Sequence, residues 1–317
     1  MSSSVSSEVR LSALFKCYSD GFSDGTSCPE AVMSDEAILG GIDLAKSNFL
    51  RGQARLGIKL PKDFIRQQQI LAAMKSEGIS PHTMGLIDTY KGKGIALDVG
   101  CGIGLNSIAI LKKGWDVYAL DLHKEVLAIF EAHVSKVASH AKAEETTLGE
   151  CTIINKDITE MLLEACSLDL VLADDVLSYL SPDLLIPTIR KIYEALLPGG
   201  IFMGSLLVNR ELSSDKDIVL MARVCALNAY SYTDPVVISN IFRYAGFHME
   251  VCTLRAFPDP SHPARIVSFV ARKLSEKYDF EVNVNSTCCN NGFRVTDIPT
   301  ATPLISINLL TYLIFRY

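Results

Sequence analysis

Residues 96–111 read ALDVGCGIGLNSIAIL. An apolar run ends around Asp98, three glycines alternate with other residues (Gly100, Gly102, Gly104), and apolar spacing then resumes. Glycines so placed let the chain turn with positive φ and bring bare backbone up to a ligand. A helix that follows points free N–H groups at the same spot. Such a loop at the carboxyl end of a parallel strand takes a nucleotide-like ligand. The dinucleotide fingerprint is GxGxxG, but here the third glycine comes one residue early and Leu105 stands in its place. Asp98, two residues before the first glycine, repels a pyrophosphate and attracts an ammonium or a sulfonium-bearing amino acid. Asp121 follows Gly100 by 21 residues, where a carboxylate can accept both hydroxyls of a ribose. The pocket therefore suits a ribose and a cation, with no sign of phosphate.

The elements around these residues follow from apolar periodicity. Strands are expected over residues 95–99, 117–120, 152–155, 168–173 and 201–207, with helices over 105–113, 124–139, 182–196 and 234–244. Strands alternating with helices make βαβ units and a mostly parallel sheet. Two further strands, 248–254 and 266–271, are joined by a Pro-rich link too short for a crossover helix, so they must pair antiparallel. Upstream, Ile38, Leu39, Ile42 and Ala45 recur at helical spacing. A second helix is expected over 62–77, with Pro61 at its mouth and Gly78 at its end. A third short helix is expected through Tyr90. The Ser-rich residues 1–34 read as poorly ordered at their start. The domain reading is a helical cap over 1–90, a ligand-binding α/β domain over 91–273 and an extension of no assigned role over 274–317.

The 317 residues suit one enlarged domain. The chain is 49 % hydrophobic and 21 % charged, ordinary for a soluble globular protein. Its net charge is −6 and its basic residues are scattered, which argues against nucleic acid as a partner. Nine cysteines at irregular spacing, with no CxxC, argue against a zinc site and fit a reduced, cytoplasmic compartment. No apolar run approaches the ~18 residues of a membrane span. The apolar stretch 304–315 reads as a packed strand or short helix.

Five segments together resemble the class I S-adenosylmethionine-dependent methyltransferases, across about residues 90–273. The glycine stretch is similar to the family's first motif, and Tyr118-Ala-Leu-Asp121-Leu122 to the second, with its ribose-binding acid. Asn155-Lys-Asp157-Ile158 resembles the segment where an acidic side chain and the next backbone N–H meet the adenine. Residues 168–180, with Asp174 after the strand, resemble the fourth strand and its loop. Glu194-Ala-Leu-Leu-Pro-Gly199-Gly200 resembles the helix-turn-strand after it. The resemblance implies a doubly wound, seven-stranded sheet in the order 3-2-1-4-5-7-6 with only strand 7 antiparallel, and S-adenosyl-L-methionine as cofactor. It implies Asp98, Gly100, Cys101, Gly102, Gly104, Asp121, Leu122, Asp157, Ile158 and Asp174 as cofactor-binding residues. The cofactor's parts (adenine, ribose and a cationic amino-acid tail) suit the pocket read above.

Some of these residues also have purely structural readings. Asp157 and Asp121 can each cap the helix that follows, Asp169 reads as a strand-start residue, and Gly199 with Gly200 forms a turn. No catalytic base is assigned; the six histidines read as satisfied or exposed. Asp174 and Asp175 are adjacent acids, poor evidence for a metal site, and none is expected. The chain lacks the Asn/Asp-Pro-Pro-aromatic motif of base amino-methylases, the Pro-Cys of cytosine-C5 enzymes and the paired glutamates of arginine methyltransferases. The expected acceptor is a small molecule, with a protein side chain as the rival. A catalytically inactive binding module and a nicotinamide oxidoreductase are the readings from other classes.

Overall fold

The computed structural model describes residues 26–27, 32–56, 61–74, 85, 93–208, 229–232, 234–256 and 265–274. The chain divides into two compact units, Met1–Glu276 and Lys277–Tyr317, and every described residue lies in the first. The expected helix through Tyr90, apart from Gly85, and the 304–315 segment lie outside the described residues.

The strands are β1 (Thr26–Ser27), β2 (Ile95–Val99), β3 (Asp116–Asp121), β4 (Cys151–Asn155), β5 (Leu168–Ala173), β6 (Leu196–Val208), β7 (His248–Ala256) and β8 (Arg265–Arg272). The helices are α1 (Asp35–Leu56), α2 (Lys62–Met74), α3 (Leu105–Leu111), α4 (Lys124–Ala143), α5 (Pro182–Ala195) and α6 (Pro235–Tyr244). One sheet runs β1-β7-β8-β6-β5-β2-β3-β4. From β4 to β7 this is the expected seven-strand order. Among those seven only β8 runs opposite to the others. An eighth strand, not anticipated, joins the edge: Thr26 and Ser27 pair antiparallel with Leu254 and Thr253.

Period-2 alternation sorts the side chains of each central strand onto two faces. Leu97, Val99, Val171, Ala173 and Phe202 join α1, α5 and α6 in one core. Ala96, Leu170, Leu172, Ile201 and Met203 join α3 and α4 in the other. Asp98 therefore belongs to the α3 face, between apolar neighbours.

Two local features depart from the expected elements. β6 begins at Leu196, immediately after α5, rather than at residue 201. Leu168 pairs with Leu196 and Leu170 with Ile201, so residues 197–200 loop out within one strand. Gly199 takes φ 84 in that bulge; its N–H donates to Lys273 O, and the Lys273 N–H donates to Gly200 O. The turn read from the two glycines is thus a bulge stitched to the end of β8. The short helix expected after Asp157 is a 3₁₀ turn of three residues, Ile158–Glu160.

The two N-terminal helices sit differently. On α1, Ile38, Ile42, Ala45 and Phe49 are buried, and Phe49 stacks on Tyr230. The Met33 N–H donates to Asn240 Oδ1 on α6, and Lys46 Nζ meets Asp183 Oδ1 on α5 at 2.5 Å. α2 runs beside α4. Arg66 Nη2 donates to both carboxylate oxygens of Glu125, at 2.7 and 2.8 Å, while Phe64, Leu71 and Met74 remain exposed.

Candidate functional site

The glycine loop between β2 and α3 is held by β3. The Gly100 and Cys101 N–H groups both donate to Leu120 O, at 2.7 and 2.9 Å. The Gly102 N–H donates to Asp121 Oδ2 at 3.0 Å, and Asp121 Oδ1 accepts from the His123 N–H at 2.8 Å. Asn155 Nδ2, at the end of β4, donates to Asp121 O and Leu122 O. Three strand ends thus fix one carboxylate against one loop. Asp121 bonds the residue that precedes α4 without capping that helix, whose N-cap is His123 with no side-chain cap bond.

The glycines differ in what they permit. A Cβ on Gly104 would lie 1.8 Å from Phe130 on α4, so this glycine (φ 83) lets the loop pack against that helix. Gly100 abuts Val176 of the loop after β5. At Gly102 (φ 54) the nearest atom to an added Cβ would be Ala73 Cβ of α2, 3.9 Å away. Bare backbone at Gly102 therefore faces the underside of α2.

Asp98 is 2 % exposed, and Ser107 Oγ on α3 donates to its Oδ2 at 2.6 Å. Burial pushes its carboxyl up to about 7, opposed by the Ser107 hydrogen bond and reinforced by the negative charges of Asp174 and Asp121. Asp174 and Asp175 share one hydroxyl: Ser205 Oγ lies 2.7 Å from Asp174 Oδ1 and 3.0 Å from Asp175 Oδ1. It also accepts from the Asp175 N–H at 2.8 Å. Asp175 has φ 55, the left-handed region unusual for a non-glycine residue. The negative charges of Asp121 and Asp174 both act on Asp98, and such a grouping of acids favours a cation.

Asp157 caps the 3₁₀ turn, its Oδ1 accepting from the Thr159 N–H and Oγ1, each at 2.8 Å. Its structural role is therefore real. Among the described residues Asp157 Oδ2 accepts nothing and the Ile158 N–H donates to nothing, although the Ile158 side chain is buried in the core. One acceptor beside one donor suits the edge of an adenine. Leu122, 58 % exposed at the end of β3, offers an apolar surface for a ring face.

Several other titratable side chains are held by burial or by structural contacts. Burial, with Asp98 and Asp121 nearby, pushes the Cys101 thiol far up, and burial pushes Cys151 up to about 11; neither is a nucleophile near neutral pH. Asp169 Oδ2 accepts the Ile95 N–H at 2.9 Å, a structural tie between strands. His133 Nδ1 lies 3.1 Å from Ile103 O, and His140 pairs with Glu144. Among the described residues no three His, Cys, Asp or Glu side chains form a metal cluster, and no helix is long and apolar enough to cross a membrane.

Ser107, Ser205 and Ala73 were not foreseen as parts of this site. Ser107 had a readable signal: it lies three residues past Gly104, in the first turn of the helix behind Asp98. Ser205 had none, because a serine inside an apolar strand does not reveal which loop it will meet.

Residues 96–200 match the family model described as a methyltransferase domain. No curated protein matches the sequence. Similar solved structures include an S-adenosylmethionine-dependent methyltransferase from Methanosarcina mazei, at 15 % identity and TM-score 0.48, covering 63 % of this chain and 100 % of that one. A 1,6-didemethyltoxoflavin-N1-methyltransferase from Burkholderia thailandensis, solved with 1,6-didemethyltoxoflavin and S-adenosylhomocysteine, is similar at 16 % identity and TM-score 0.46. That match covers 79 % of this chain and 95 % of that one. An O-methyltransferase family 2 protein from Planctomyces limnophilus, solved with apigenin, shows 19 % identity and TM-score 0.46, over 68 % of this chain and 63 % of that one.

Proposed function

We propose that this chain, whose residues 96–200 match a methyltransferase domain, is a class I S-adenosylmethionine-dependent enzyme that moves a methyl group from S-adenosyl-L-methionine to an oxygen or nitrogen of a small molecule. The observation that carries the cofactor reading is the set of acids around a glycine loop. Asp121, bonded to the Gly102 N–H, and Asp174 each repel a charge on Asp98, and a ligand with a cationic tail relieves that repulsion while a phosphate worsens it.

When bound, S-adenosylmethionine supplies an activated methyl on a sulfonium, open to in-line displacement. The residues of the chain supply position. Asp98 and Asp174 attract the cationic amino-acid end. Asp121, fixed by the Gly102 and His123 N–H groups, presents its remaining acceptor capacity to the ribose. Asp157 Oδ2 and the Ile158 N–H take the adenine edge, and Leu122 its face. Holding two reactants in line in a dry pocket can contribute roughly 7–11 kcal/mol to the rate. The small-molecule acceptor is supported by the net acidic chain and by the absence of a base-methylation motif after β5. α2, lying over Gly102, suits a lid that excludes water.

The test is a methyl-release assay on cell extract divided into metabolite, protein and RNA fractions, run with wild type and Asp121→Ala. Label is expected in the metabolite fraction. Asp121→Ala should weaken S-adenosylmethionine by about 1–3 kcal/mol in calorimetry, as two hydroxyls lose a charged acceptor. Label in protein or RNA overturns the small-molecule reading, and unaltered binding by Asp121→Ala overturns the pocket assignment.

A further inference from the structure

Lys191 lies on the third turn of α5 and turns its side chain inward rather than to solvent. Its Nζ lies 2.5 Å from Ile158 O, 3.1 Å from Thr159 O and 3.1 Å from Met161 O. An ammonium has three protons, and here all three find backbone carbonyls of one short turn. Burial lowers the lysine's pKa, opposed by the nearby charge of Asp157. A lysine that only decorated a helix would leave its head in water. This one gathers the carbonyls at the end of the 3₁₀ turn, where a cation is favoured by the backbone dipoles.

The turn it gathers begins at Asp157 and Ile158. The Asp157 Oδ1 bonds to Thr159 fix the near side of the turn, and Lys191 fixes the far side. Between these anchors the Asp157 Oδ2 and the Ile158 N–H are left without partners among the described residues. We propose that Lys191 is a positioning residue for the cofactor: its ammonium sets the backbone turn that presents Asp157 and Ile158 to the adenine. This rests on the cofactor reading above. Lys191 touches no reacting atom, so it governs affinity at the nucleoside end and leaves the chemical step unchanged.

The experiment compares wild type with Lys191→Met, Lys191→Gln and Lys191→Arg in the full chain. Calorimetry is run with S-adenosylhomocysteine and, separately, with adenosine, which carries the nucleoside end alone. Lys191→Met keeps the stem and removes the charge; it should raise Kd for both ligands by the same factor, about 5- to 20-fold. Lys191→Gln and Lys191→Arg, which retain donors, should recover part of the loss. KM for S-adenosylmethionine should rise with kcat unchanged at saturation. If Lys191→Met does not fold, Lys191→Gln must still show the shared loss for both ligands. Binding of both ligands at wild-type strength by the Met and Gln variants overturns the proposal, as does a fall in kcat with Kd unchanged. Failure of wild type to bind S-adenosylhomocysteine overturns the cofactor reading instead.

Discussion

The two N-terminal helices look alike in sequence and end in different places. α1 places Ile38, Ile42, Ala45 and Phe49 into the interior, the first three in the core that also holds Phe202 and Phe269. Its approach to α6 is so close that a Cβ on Gly41 would lie 2.6 Å from Val237. α2 has Ile65 and Ile70 half-buried and Phe64, Leu71 and Met74 exposed. Among the described residues an exposed ion pair, Arg66 Nη2 with both oxygens of Glu125, ties it to α4, and it covers Gly102 with a methyl group. An apolar stripe at helical spacing thus reports that a face exists, without reporting how firmly it is held. The helix locked into the core is scaffold, and the loosely held one lies over the glycine loop.

Three substitutions separate the firmly seated helix from the one over the glycine loop. The largest effect is expected at α1. Ile42→Ala should lower unfolding free energy by about 2–5 kcal/mol in urea titration, while the folded fraction binds S-adenosylhomocysteine as wild type does. Unchanged stability would place α1 with α2 as a peripheral helix.

Asp98→Asn, in the site beneath α2, should act in the opposite direction on the free protein. The wild-type carboxyl has its folded pKa raised from 3.8 to about 7. Its ionisation cost is therefore absent below pH 3.8, grows as pH rises through that window and is complete above about 7. At about pH 8 the variant should gain roughly 1–3 kcal/mol of stability and lose affinity for S-adenosylhomocysteine. The wild-type affinity should itself rise between about pH 6 and 8, with proton release on binding seen by calorimetry in buffers of different ionisation enthalpy. Equal stability of the two proteins at the upper end of that range would remove Asp98 as a stored charge.

The smallest effect is expected at α2. Arg66→Ala should leave the thermal midpoint unchanged and speed S-adenosylhomocysteine dissociation by about 2- to 5-fold at low salt, a difference that vanishes in about 1 M salt. A large drop in midpoint would make α2 scaffold after all.

The central strands are legible in the sequence because they announce themselves twice, by apolar runs and by the acids and glycines that end them. β2 and β5 fall on the expected residues. β1 escaped because two residues carry no periodicity. The start of β6 escaped because a Pro-Gly-Gly run signals a turn, and only pairing across the sheet reveals a bulge. Within the site, Asp98, Gly102 and Asp121 stand together as their spacing suggested. Gly104 instead makes room for Phe130, a contact supplied by a helix further along the chain. Lys191 was invisible for a related reason: one lysine on an amphipathic helix reads as surface charge until the turn it reaches is in place.

The docking of α1 also has a consequence for synthesis. Met33 bonds to a residue 207 positions later, and Lys46 to one 137 later. At ~5–20 residues per second, Asn240 leaves the ribosome roughly 10–40 s after Met33. The first of the described helices to be made is therefore among the last to find its seat. During that interval Ile38, Ile42 and Phe49, all buried in the finished fold, wait without their native neighbours.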